Sequence, residues 1–412
     1  MGPDMRRDGI PAATLRPVPR PRAAVIRDAA LVDAWAALWV SRLLVWAAGA
    51  GAVALWGLSA RVTIFDPGAV TRPFGPVGNA LVAPLARWDS VWYLAIANDG
   101  YPADDPRRTA FFPLYPLLLR AGDAVVRSPL VAGALVSLVC FGVALVLLGR
   151  LAEIELGARA ARMTVWALAL YPGAVFFSAV YSEALYLVLS VGCVYAARTG
   201  RWAWAGCLGA LGAATRSAGV LLVVPLAVMW LTRADGRDPR RASDAAWIAL
   251  VPAGLAGFCA VLALGGGDAL APVHAQDIWY RHFAGPFVGL WDGTRAAWSG
   301  VHHLGDPAAR ADVVLFGFLL AAVPMVVATL RRLPPAYGAY VVTALALPLS
   351  YPVGPQPLMS LPRFLAVLFP LFMATGAWLA EGGTARRVAA LAPSVAGLAA
   401  VSAVFATWHW VA

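Results

Sequence analysis

Residues 129–150 read PLVAGALVSLVCFGVALVLLGR. From Pro129 to Gly149 no side chain is charged. A helix of about 20 such residues crosses a hydrocarbon core roughly 30 Å thick. The apolar residues do not alternate with polar ones, so a membrane-barrel strand is excluded. Lipid offers the backbone no partners, so the run must bond within itself as a helix. Comparable runs recur along the 412-residue chain, which is 61% hydrophobic and 13% charged. Soluble domains carry roughly 25% charged residues. The chain is therefore read as an all-α polytopic membrane protein.

Working outward, candidate spans fall near 31–58, 129–150, 163–180, 184–198, 202–216, 218–232, 245–264, 311–330, 336–350, 364–380 and 388–410, about eleven in all. Arginine distribution sets their orientation. With the N-terminus cytoplasmic, nineteen of the thirty-two basic residues lie inside, including the short-turn groups Arg198/Arg201, Arg331/Arg332 and Arg386/Arg387. That is the arrangement favoured by the positive-inside rule. Two long segments, 59–127 and 265–310, are then external. Both mix Trp, Tyr and Phe with Asp, Arg and Pro, as expected of interfacial helices at headgroup level. The organisation expected is a disordered cytoplasmic segment 1–28, a transmembrane module 29–232 and a second module 233–412, each module with one of these loops.

The net charge of +10 admits nucleic acid or an anionic membrane as partner, and its distribution favours the membrane. Every basic residue other than the histidines is Arg, since the sequence holds no Lys. A Walker A lysine, a Schiff base and a lysine general base are thereby excluded. Cys140, Cys193, Cys207 and Cys259 fall inside apolar runs and read as buried free thiols. The run beginning near Leu31 is too long for a signal-peptide core and contains Arg42, so it reads as an uncleaved first span.

In the first loop, Arg87-Trp88-Asp89-Ser90-Val91-Trp92 leads into a short amphipathic helix. Trp88, Trp92 and Ile96 are spaced to share one face, Asp89 or Ser90 can cap the start, and Gly100 suits the end. Asp89 is either that cap or a general base at the membrane surface, beside an apolar floor of Trp88 and Trp92. Asp99, Asp104 and Asp105 sit near Gly and Pro and read as solvated turn residues.

Arg87-Trp88-Asp89, Ile96-Ala97, Gly100-Tyr101 and Ala110-Phe111-Phe112-Pro113-Leu114-Tyr115-Pro116 together resemble the PIG-V family of mannosyltransferases, in the GT-C superfamily. The resemblance continues through Tyr181-Ser182-Glu183-Ala184-Leu185 and Thr215-Arg216-Ser217-Ala218-Gly219, covering roughly residues 31–225. Beyond that it holds mainly the span pattern and Arg363-Phe364.

The resemblance implies a GT-C-like bundle in the plasma membrane. It implies a donor sugar, mannose, carried on a polyprenyl phosphate, and an extracytoplasmic acceptor that is a glycolipid, polymer or protein. Asp89 would be the catalytic base of an inverting single displacement. The leaving lipid phosphate would need cations, and without Lys these must be Arg. Arg216 and Arg363 lie at outer span ends and are the candidates; snorkelling to lipid phosphates is the plainer reading of each. Arg87 is a third, unless it pairs with Asp89 or Asp99. Trp88, Trp92 and Tyr101 are further substrate-binding candidates. Glu183 either faces the cavity or favours the dipole of the following helix. Arg42 is expected to pack inward against a carboxylate or line the groove.

His274, His282, His302 and His303 of the second loop match no metal-ligand template, and the first loop holds no DxD. No metal or resident cofactor is therefore expected, and the loop's aromatics read as acceptor-binding. The absence of Lys suggests a GC-rich bacterial setting, in which the eukaryotic glycolipid anchor would not be the acceptor. A transferase for another lipid-linked sugar remains open on the sequence. So does a non-catalytic binder. A lipid-linked-sugar transporter or flippase is a further alternative; it predicts internal repeats and midplane charges, whereas no convincing repeat is seen and the notable polar residues cluster at the outer surface.

Overall fold

The computed structural model describes residues 26–232 and 241–409, and the expectation for segment 1–28 falls almost wholly outside them. Among the described residues there is no strand; two isolated bridges, Arg281 with Val353 and Val353 with Gln356, join otherwise helical segments.

Among the described residues, four helices are long and apolar enough to cross a membrane: Ala30–Trp56, Pro129–Leu156, Pro307–Arg332 and Thr384–Ala406. Their mean hydropathies run from 1.6 to 2.7. They leave many large apolar side chains facing outward, among them Trp35, Val139, Leu320 and Val388. In a soluble protein such surfaces would be liabilities; against lipid tails they cost nothing.

The other candidate spans form shorter or broken helices, so eleven separate crossings do not appear as eleven long helices. Proline sets several breaks. The helix Ala158–Ala169 stops before Pro172, whose neighbour Tyr171 is extended (φ −60°, ψ 138°), as the residue before proline prefers. The chain resumes as the 3-10 turn Pro172–Phe177. Ala242–Ala249 and Ala253–Leu264 bend by 40° around Pro252. Leu361–Ala366 and Phe369–Glu381 are separated just before Pro370. At 1.5 Å per residue, the helix Glu183–Arg198 spans only about 24 Å.

Packing relies on small residues at helix contacts, the pattern that lets backbones approach in membranes. Gly376 of Phe369–Glu381 lies against Thr164 of Ala158–Ala169, and a side chain there would overlap the threonine. The first and last long helices pack together, and Pro129–Leu156 packs against Glu183–Arg198. At one end of that pair, Arg198 bonds Glu155 at 2.6 Å, and the Tyr337 hydroxyl donates to the same carboxylate at 2.9 Å.

The two loops are ordered. The first carries the helices Arg61–Phe65, Gly75–Val82, Ser90–Asp99 and Leu114–Val126; the second carries Ala271–Ile278 and Val288–Val301. Trp291, Trp298, Phe283 and Phe287 of the second loop are exposed, as suits a headgroup-level surface. The Ser90–Asp99 helix is less superficial than its sequence suggests: Tyr93, Leu94, Ile96 and Ala97 are buried. It packs against Leu114–Val126, which in turn packs on Pro129–Leu156.

Candidate functional site

Helix ends bring Asp89, Glu183, Arg216 and Arg363 together at the end of the bundle opposite Arg198. Asp89 sits at the N-cap position of Ser90–Asp99, but its side chain makes no capping bond. Its Oδ2 instead accepts from Arg363 Nη1. Its backbone N–H donates to the Tyr181 hydroxyl at 3.0 Å, fixing where the carboxylate points. Asp89 Oδ1 meets no donor among the described residues, and the side chain is 19% exposed. One oxygen is thus held and the other open.

Glu183 opens its helix, and its side chain turns into the cluster. Oε1 accepts from Arg216 Nη1 and lies 3.2 Å from Arg363 Nε. Glu183 is 1% exposed, and its Oε2 has no hydrogen-bond partner. Ser182, one residue earlier, bonds the Tyr93 hydroxyl at 2.7 Å rather than capping the helix. Burial, reinforced by Glu183, pushes the Tyr93 phenol up and keeps it neutral.

Arg363 is therefore a bridge between two carboxylates. Its guanidinium carbon also lies 5.5 Å from the Tyr181 ring and 5.7 Å from that of Phe364. Arg216 reaches the same Phe364 ring at 5.8 Å. A third guanidinium, Arg281 from the second loop, lies 5.7 Å from it. Sequence reasoning missed Arg281; it lies in a segment without a motif, and its approach to Phe364 is a product of folding. Its position is set by backbone pairing with Val353 and by Nη1 donating to Tyr351 O at 3.2 Å. Burial and the neighbouring Arg363 push its pKa down to about 10, so the side chain stays charged at neutral pH.

Three cluster members follow left-handed residues that are not glycine. Trp88 (φ 52°) precedes Asp89, Tyr280 (φ 58°) precedes Arg281, and Ser360 (φ 68°) lies three residues before Arg363. Such conformations cost of order 1–3 kcal/mol and persist where surrounding structure enforces them.

Other candidates lie elsewhere. Arg87 does not pair with Asp89 or Asp99 and does not face the cluster. It is 1% exposed; Nε donates to Ala406 O at 2.8 Å and Nη1 to Ala86 O at 2.9 Å. It ties the first loop to the end of the last helix, because a buried guanidinium takes whatever acceptors the interior offers. Trp88 precedes the Ser90–Asp99 helix in its left-handed turn, so it does not share a helical face with Trp92 and Ile96. It packs between Phe65 and Trp408, at 5.1 and 5.4 Å. Trp92 stacks on Phe111 at 5.8 Å, meets Trp279 edge-on at 5.5 Å, and lies under Arg107. Tyr101 donates to Phe111 O at 2.6 Å.

Among the described residues, Arg42 meets no carboxylate. It donates to Ala174 O and Ser178 Oγ, both at 2.7 Å, at the 3-10 turn Pro172–Phe177. Asp99 and Asp105 pair with Arg108 at the surface. His274 and His282 each meet one exposed carboxylate, of Asp268 and Asp277. Among the described residues, no three His, Cys, Asp or Glu side chains converge as metal ligands would. The four cysteines are free thiols, with Cys193 buried and Cys207 exposed.

Residues 72–234 match the family described as Mannosyltransferase (PIG-V). The segment contains Asp89, Glu183 and Arg216; Arg281 and Arg363 lie beyond it. The GPI alpha-1,6-mannosyltransferase 2 of Rattus norvegicus is 35% identical over 158 residues, which is 35% of this chain and 31% of that protein. The proteins of that name from Mus musculus and Cricetulus griseus are 34% and 35% identical, over the same shares of each chain. The match thus spans under a third of the length of these relatives. The oligosaccharyltransferase of Archaeoglobus fulgidus has a similar fold. It aligns with a TM-score of 0.50 at 13% identity, over 89% of this chain and 53% of that one.

Proposed function

We propose that this chain is an integral-membrane mannosyltransferase that moves mannose from a polyprenyl phosphate to an extracytoplasmic acceptor. The observation that carries the reading is the Asp89 carboxylate. One oxygen is held by Arg363, the other is open, and further guanidinium groups lie beside it.

In the reaction, the acceptor hydroxyl oxygen attacks the anomeric carbon as Asp89 Oδ1 takes its proton. The bond from that carbon to the phosphate oxygen breaks, and its electron pair stays on the phosphate. One displacement inverts the anomeric configuration, so a β-linked donor gives an α-mannoside. The leaving group gains negative charge, which preorganised guanidinium groups stabilise. No nucleotide-sugar is needed, and a lipid-borne donor can enter sideways between helices.

The topology follows the arginine count. The cluster lies at the end of the bundle opposite the Arg198/Arg201, Arg331/Arg332 and Arg386/Arg387 turns, which the positive-inside rule assigns to the cytoplasm. A plasma-membrane setting, and a bacterial glycolipid, polymer or protein as acceptor, belong to this same proposal. The roles of the cluster belong to it too: Glu183 and Arg363 orient the base, which moves Arg363 from the phosphate role expected for it in the sequence, and Arg216 adds positive charge at the phosphate.

The test uses membranes containing the protein, labelled polyprenyl-phosphate-mannose and host lipid extract. Transfer by the parent protein should fall by about 10²–10⁴-fold in Asp89→Asn at equal expression. Normal transfer by that variant removes Asp89 as the base. Movement of intact donor without glycosyl transfer replaces the enzyme with a flippase.

A further inference from the structure

We infer that Arg281 is the group that grips the donor's phosphate, while Arg363 is a positioning residue for Asp89. This rests on the proposed transferase reading and divides labour within its site.

The argument starts from charge. Three guanidinium groups surround Phe364, and two carboxylates face them. Arg363 contacts both Asp89 and Glu183, and Arg216 contacts Glu183. These four groups balance to zero. Arg281 supplies the remaining positive charge, and it forms no ion pair among the described residues. A lipid-phosphate sugar is a diester with one negative charge, which matches one surplus cation. The departing lipid phosphate is a monoester and carries more negative charge, so the same cation interacts with it more strongly.

Available donors point the same way. Arg281 spends only Nη1, on Tyr351 O. Its Nε and Nη2 donate to nothing among the described residues, and its side chain is half-buried. Two adjacent N–H groups on one guanidinium edge fit two phosphate oxygens side by side. Arg363, by contrast, donates Nη1 to Asp89, and its Nε, though it makes no hydrogen bond, faces Glu183 Oε1 at 3.2 Å, so its charge is already opposed by two buried or half-buried carboxylates. Turning it toward a phosphate would release Asp89 and leave buried Glu183 with Arg216 alone.

Arg281 also arrives at the right place for a lipid ligand. It comes from a loop whose exposed Phe283 and Phe287 suit the membrane surface, and Trp279 joins it to Trp92 and Phe111 of the first loop. The left-handed Tyr280 beside it shows the chain bent to deliver this side chain.

The experiment titrates the full-length protein in detergent with farnesyl phosphate and with farnesol, reading tryptophan fluorescence. The parent protein should prefer the phosphate by at least tenfold. Arg281→Gln should lose that preference at an unchanged thermal midpoint. Arg363→Gln should keep it and lose mannose transfer. In a second measurement, which needs no variant, farnesyl phosphate but not farnesol should protect Arg281 from a guanidine-reactive dicarbonyl, read by peptide mass spectrometry. Full preference in Arg281→Gln, or unprotected Arg281 in the liganded parent, overturns the assignment while the transferase reading stands. A parent protein that does not distinguish phosphate from alcohol sinks the lipid-phosphate reading and this inference with it.

Discussion

Replacing Glu183 by Gln keeps the shape of the side chain and removes its charge, which isolates what that charge does. Glu183 is 1% exposed and one of its oxygens takes both Arg216 and Arg363. Truncating one partner of a buried ion pair costs about 3–5 kcal/mol, because the other charge is left uncompensated. Glutamine still offers an amide oxygen, and both arginines retain 15% side-chain exposure. The expected loss is therefore nearer 2–3 kcal/mol. At about 2.1 cal/mol/K of unfolding entropy per residue over 412 residues, this is about a 2–4 °C fall in thermal midpoint. The assay is thermal unfolding in detergent, followed by tryptophan fluorescence, for the parent, Glu183→Gln, Arg216→Gln and the double variant. The double variant should recover part of the loss, since it removes the stranded cation. A Glu183→Gln protein that melts with the parent would refute the buried network. Losses that simply add would refute the contact between Glu183 and Arg216.

Arg42→Met should lower the thermal midpoint, by a loss of about 1–3 kcal/mol, because buried Ala174 O loses a charged donor. An unchanged midpoint in the same unfolding assay would show that the carbonyl finds another partner. Gly219→Ala should cost about 1–3 kcal/mol, since a methyl there meets the backbone of Gly212. Because Gly219 N–H bonds Arg216 O, the same change should shift Arg216 and reduce donor affinity as well; a titration with farnesyl phosphate checks this.

Much of the site was legible in the sequence because its chemistry is local. Asp89 was marked by the Arg87-Trp88-Asp89 triplet, and Gly100 does end its helix, though at φ 76°, ψ −144°, a glycine conformation outside the left-handed helical cap that was expected. Arg216, Arg363 and Glu183 stood out as charges at membrane-level helix ends, where they are costly. Arg87 was equally visible, and there the sequence misled. Nothing in a triplet says which interior carbonyls a guanidinium will meet, and Ala406 lies 319 positions away. Trp88 was misplaced because periodicity assumes a helix that begins two residues too early.

The sequence by itself determined the membrane class, since hydropathy and the need for internal backbone bonds are properties of each segment alone. The breaks at Pro172, Pro252 and Pro370 have a local cause, since proline's missing N–H acts on its immediate neighbours, yet the expected spans 163–180, 245–264 and 364–380 ran straight through them. Tertiary structure decided which charges meet. Asp89 and Arg363 are 274 positions apart, and Arg281 reaches Phe364 only when the second loop folds back beside the Tyr351 segment. Electrostatic energy depends on distance in space and on exclusion of water, and neither is a function of separation along the chain.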